Sequence, residues 1–142
     1  MTYANAVLPQ AMFIAAEQWP EEGFLDVAKA SFAFLDRSTA AKGARIPLAK
    51  QPARGFAKKV PVAREVPGTF CEDEIIFWPV GNSDWYPHGE EKSPYDQQPV
   101  EAAGLIDACL EACHATGERH WLEHAQWCFN WFLGDNDLRQ PV

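Results

Sequence analysis

Basic residues are the minority in this sequence: twelve Lys and Arg face twenty Asp and Glu, for a formal charge of −8. A phosphate backbone needs a basic face, so nucleic acid is excluded as the expected partner. An anionic membrane surface is excluded on the same ground. No apolar run approaches the roughly 20 residues that span a bilayer, and the apolar stretch up to Ala16 has no basic residues ahead of it, as a secretory signal would. No CxxC pair occurs among Cys71, Cys109, Cys113 and Cys128. Cys109 and Cys113 share a helix face without forming a zinc knuckle, and four buried free thiols in a cytoplasmic protein are expected. A Gly-rich phosphate loop and a G-x-S-x-G elbow are both missing. His120 and His124 stand four apart, but no Glu follows His120 in the metalloprotease pattern. The expectation is no metal, no cofactor, and a solvated helix face carrying His114, His120 and His124.

What is present is a core-forming composition. Of 142 residues, 47% are apolar and 13% aromatic, with six Trp. That suffices for one domain over residues 1–142. Four helices in two pairs are predicted. The first runs over about Tyr3–Gln18, with Pro9 in its first turn. The second opens at Pro20-Glu21-Glu22, where Pro and acids suit a helix N-terminus. It carries apolar residues on more than one stripe from Phe24 to Leu35, as if buried on two sides. The third begins at Pro99, with Gln98 as N-cap and Glu101 at the third position, and stops at Gly117. The fourth spans Arg119–Leu133 and ends at Gly134. Short connections make each pair an antiparallel hairpin. Hairpins with unshielded apolar flanks call for neighbours, as in helical repeats. A homodimer, or docking onto further hairpins, is therefore expected.

Between the pairs lies a Pro- and base-rich stretch, about residues 40–69, with Lys42, Arg45, Lys50, Arg54, Lys58, Lys59 and Arg64. A connection this long is unusual in a compact domain. An extended element is predicted near residues 70–80, where Ile75, Ile76, Phe77, Trp78 and Val80 cluster.

Chemistry concentrates between Phe77 and Glu101. Asn82, Trp85, Tyr86, His88, Lys92, Gln97 and Gln98 form the mixture that binds sugars: rings for pyranose faces, and planar polar groups for hydroxyls. Asp96, Glu91 and Glu101 are the candidate catalytic carboxylates, since glycosidic chemistry uses carboxyl groups as acid and base. The competing reading makes Asp96 and Glu101 helix caps and the aromatics core.

The run from Gly81 to Ala102 resembles a bacterial family of six-hairpin, glycosidase-like proteins found beside or fused to group-one glycosyltransferases. Its pattern reads GN-x-x-WY-x-RGGE-K-x-x-x-DQQP-x-EA, followed by a hairpin ending in WFLG-x-ND. Gly81, Asn82, Trp85, Tyr86, Glu91, Lys92, Asp96, Gln97, Gln98, Pro99, Glu101 and Ala102 match it, as do Trp131-Phe132-Leu133-Gly134 and Asn136-Asp137. His88 stands where the pattern has Arg, and Glu90 where it has Gly. The resemblance implies an all-α fold, two hairpins forming part of an α/α toroid, and a sugar or oligosaccharide as ligand. A closed six-hairpin toroid needs more than twice this length.

Overall fold

The computed structural model describes residues 1, 3–42, 75–138 and 140–142. Most of the Pro- and base-rich stretch, and Cys71, lie outside the described residues. Four α-helices dominate: α1 (Val7–Gln18), α2 (Phe24–Thr39), α3 (Pro99–Thr116) and α4 (His120–Asn130). Strands β1 (Ala40–Lys42) and β2 (Ile75–Phe77) pair antiparallel, with Ala40 opposite Phe77. No described helix is long and apolar enough to cross a membrane.

α1 starts without a side-chain cap. Val7, Leu8 and Gln10 N–H instead donate to the carbonyls of Ala4, Asn5 and Ala6. Pro9 has no N–H to place, so the first turn tolerates it. Pro20 prevents α1 from continuing. The second helix does not open there, as the sequence suggested. Pro20–Glu22 is a separate 3-10 turn, and Gly23 at φ 73° separates it from α2. That left-handed conformation suits glycine because it has no Cβ to clash. At the other hairpin Gly117 ends α3 at φ 70°, its N–H donating to Cys113, as the stop signal predicts.

α2 buries Ala28, Phe32, Leu35 and Thr39, one stripe at helical spacing. Val27 and Phe34 are exposed, so among the described residues α2 is buried on one side rather than two. α4 is shorter than its apolar pattern. After Asn130 the chain tightens into turns in which Phe132, Leu133 and Gly134 donate three residues back, to Phe129, Asn130 and Trp131.

The two hairpins stack in the same sense. Ala4 meets Glu101, the Ala6 side chain abuts Gly104, and Glu17 lies by Glu111 and His114; α1 and α3 are therefore parallel. Lys29 meets Glu118, Phe32 meets Trp121, and Asp36 meets His124. Each partner lies 88 or 89 residues on, so α2 and α4 are parallel too. The core sits between the hairpins. Phe13, Phe32 and Trp121 pack edge to face, with centroids 5.0–6.4 Å apart, an arrangement that their ring quadrupoles favour. Ala28, Ala102, Ala108 and Ala112 are fully buried beside them and permit close helix approach.

Candidate functional site

Between β2 and α3 the chain doubles back on itself. Gly81 N–H donates to Ser93 O at 2.8 Å, Asn82 N–H to Asp96 O at 3.1 Å, and Ser93 N–H to Trp85 O at 3.0 Å. Gly81 is where this loop closes on itself: a Cβ there would lie 1.9 Å from the Tyr95 carbonyl oxygen and 2.7 Å from that of Ser93. The N-terminal residues brace the other side. Tyr86 and Met1 exchange backbone hydrogen bonds, and the Tyr3 ring stands edge-on to Trp85 at 6.5 Å. Trp85 and Asp96 hold positive φ of 61° and 57°. For Asp this conformation is tolerable; for Trp it costs roughly 1–2 kcal/mol. Trp85, a candidate ligand residue, therefore sits on strained backbone.

The candidate residues divide into two groups. Lys92 and Glu101 are tied into the fold. Lys92 Nζ donates to Ser38 O at 2.7 Å and Trp78 O at 2.6 Å, and lies 5.1 Å from the Trp78 ring centroid. Burial pushes its ammonium down to about 8. Glu101 is buried, and its Oε1 accepts from Ala4 N–H at 2.7 Å. It thus braces the approach to α1. Gln98 precedes α3 with extended backbone and makes no side-chain cap bond.

The others face outward. Asp96, His88, Glu90 and Glu91 are exposed, and Asn82, Trp85, Tyr86, Gln97 and Gln98 are half-buried. Asp96 Oδ2 accepts from Ser83 Oγ at 2.9 Å. Tyr95 presents its ring to solvent beside it.

Gln97 joins this loop to the chain after α4. Its Oε1 accepts from Trp131 Nε1 at 3.2 Å, and its Nε2 donates to Pro94 O at 3.3 Å. Gln97 also lies near enough to Asp137 to favour its ionised form. Asp137 is half-buried, and desolvation raises its pKa from the ordinary carboxylate value, while the Asp137 and Leu138 amides and Gln97 oppose that shift. Asn136 fixes the turn. Its Nδ2 donates to Trp131 O and Gln140 O, at 2.8 and 2.7 Å, and its Oδ1 accepts from Leu138 and Gln140 N–H. In the sequence, Asn136 and Asp137 carry no chemical signal of their own; their place in the WFLG-x-ND ending is the one available pointer.

Comparison with protein-family models, curated proteins and solved structures finds no match to this chain.

Arranged this way, the loop and the chain after α4 offer a partly desolvated carboxyl at Asp137, the Gln97 amide, a second carboxylate at Asp96, and aromatic rings at Trp85, Tyr86 and Tyr95. Desolvation of a carboxyl favours its neutral form, and a planar amide can hold a hydroxyl.

Proposed function

We propose that the chain is a carbohydrate-binding, carbohydrate-active section of an α/α toroid, and that its ligand meets the 81–98 loop beside Asp137. The observation that carries this reading is the grouping of Asp137 with Gln97, whose amide accepts from Trp131 Nε1. It places a partly desolvated carboxyl at the edge of an aromatic, carboxylate-rich loop, an environment that glycosidic acid–base chemistry uses. Asp137 is the proton donor in this reading. Gln97 is a positioning residue, and Asp96 is the second carboxylate. Trp85 and Tyr95 supply stacking faces. The same-sense stacking of the hairpins supports the toroid reading, because a toroid repeats that step. Free thiols at Cys109, Cys113 and Cys128 support a cytoplasmic setting.

A second reading, a non-catalytic helical interaction module, draws on other residues. Lys92 and Glu101 are spent on internal bonds, and Val7, Leu8, Phe34, Phe129 and Leu133 are exposed apolar residues available to a homodimer or to further hairpins.

An NMR titration against mono- and oligosaccharides separates the two. The first reading expects shifts at the Trp85 indole and the Gln97 amide, and a loss of affinity of about tenfold or more in Asp137→Asn and Trp85→Ala. Asp137→Asn also has a stability signature. A folded pKa above the unfolded one makes ionised Asp137 a liability at neutral pH, so the variant should be at least as stable at pH 7. That advantage disappears as the pH falls through the carboxylate range. Silence across the panel with folded variants, together with self-association in light scattering, would leave the interaction module as the answer.

A further inference from the structure

Away from the loop, the parallel stacking of α1 and α3 brings two carboxylates and an imidazole together. Glu111 and His114 are three residues apart on α3 and so share a face. Glu17 comes from the last turn of α1. One ligand atom from each of the three lies within 4.8 Å of the others, and His114 Nδ1 is 3.8 Å from Glu111 Oε2. Around a tetrahedral ion with metal–ligand bonds of about 2.0–2.2 Å, ligand atoms stand roughly 3.3–3.6 Å apart. Rotation of the Glu17 and His114 side chains, both exposed, would close the difference.

Two features bias this place toward a cation. The helices end side by side, α1 at Gln18 and α3 at Thr116. Each C-terminal end carries about half a negative charge, and cations are favoured there. Glu17 and Glu111 also repel one another, and no Lys or Arg forms an ion pair with either among the described residues. The donor set selects the ion. An imidazole with two carboxylates suits a divalent first-row transition ion such as zinc, whereas Mg²⁺ and Ca²⁺ prefer oxygen alone. Three protein ligands with an open fourth position are enough for tetrahedral zinc.

We propose that Glu17, Glu111 and His114 form a site for one divalent transition-metal ion that staples the end of α1 to the end of α3. The ion replaces a like-charge contact with two carboxylate–metal bonds and one imidazole–metal bond. It binds outside the sugar-site loop, so it stands or falls independently of the carbohydrate reading.

The experiment is calorimetric titration of the chelator-stripped full chain with Zn²⁺, and visible absorption of Co²⁺ as a coordination probe. Expected are one ion per chain, a rise in Tm with added Zn²⁺, and no competition from excess Mg²⁺. His114→Ala and Glu17→Gln should each weaken Zn²⁺ binding by about tenfold or more, while His120→Ala leaves it unchanged. All three positions are exposed, so circular dichroism should report intact helices. Absence of 1:1 binding overturns the proposal. So does affinity undiminished in His114→Ala or Glu17→Gln, or lost in His120→Ala, since either result would place the ion elsewhere.

Discussion

Gly81→Ala tests how the candidate loop is held. The added methyl carbon would sit 1.9 Å from the Tyr95 carbonyl oxygen and 2.7 Å from that of Ser93. Both obstacles are backbone, so no side-chain rotation relieves the overlap. The 93–96 strand of the loop must move, and its bonds to Gly81 and Asn82 N–H are lost or stretched. Each is worth about 1 kcal/mol net, and forcing a methyl into a packed site costs about 1–3 kcal/mol more. The expected loss is roughly 3–5 kcal/mol, a large share of the 5–15 kcal/mol typical of a domain. Gly89→Ala is the control. Nothing lies within 4 Å of its Cβ position, but its φ is +83°, so it should lose only about 1 kcal/mol, the ordinary left-handed penalty. Urea unfolding followed by tryptophan fluorescence reads both. If Gly81→Ala falls within about 1 kcal/mol of wild type, or if Gly89→Ala proves the more damaging, then the backbone contact at Gly81 does not hold the loop.

Two further expectations concern alkaline pH. Burial raises the Cys109 thiol, with Cys128 and then Asp36 adding to the shift, and burial chiefly pushes Cys128 up to about 12 from 9.0. Both folded pKa values exceed the unfolded ones, so this stability is complete below pH 9 and is lost above it, at up to about 1.4 kcal/mol per pH unit for each thiol. The Cys109→Ala, Cys128→Ala double variant should show a shallower alkaline decline in urea midpoint; an unchanged slope would refute the assignment. Lys92→Met strands the Ser38 and Trp78 carbonyls and should cost about 1–3 kcal/mol at pH 7. Because the Lys92 pKa is lowered from 10.5 to about 8, wild type should gain on that variant between pH 8 and 10.5. The opposite slope would show that the two carbonyls and the Trp78 ring hold the proton more strongly than burial removes it.

Legibility in the sequence followed the range of the physics. Pro99 and Gly117 announced the bounds of α3 because first-turn Pro and left-handed Gly act within a few residues. Ile75–Phe77 was readable as extended for the same reason. Its partner Ala40–Lys42 was not, because Ala-Ala-Lys carries no strand signal and the pairing is set by the end of α2. Pro20-Glu21-Glu22 looked like a helix start, and only Gly23 in the left-handed region reveals the break. In the candidate site, residue types were visible but their commitments were not. Whether Glu101 faces solvent or Ala4, and whether Lys92 meets a ligand or two carbonyls, depends on segments far away in the chain. Asp137 meets Gln97 only across the fold, and Glu17 acquires a chemical context only beside α3.

The β1–β2 pairing also governs what the molecule can accommodate. With Lys42 opposite Ile75, Trp78 N–H on Thr39 O, and Lys92 bonded to Ser38 and Trp78, both ends of the 43–74 segment are anchored at one point. The ladder thus separates the length of that connection from the geometry of Asp96, Gln97 and Asp137. The two hairpins are therefore held in register at this one point by bonds among residues that flank positions 43–74 on both sides.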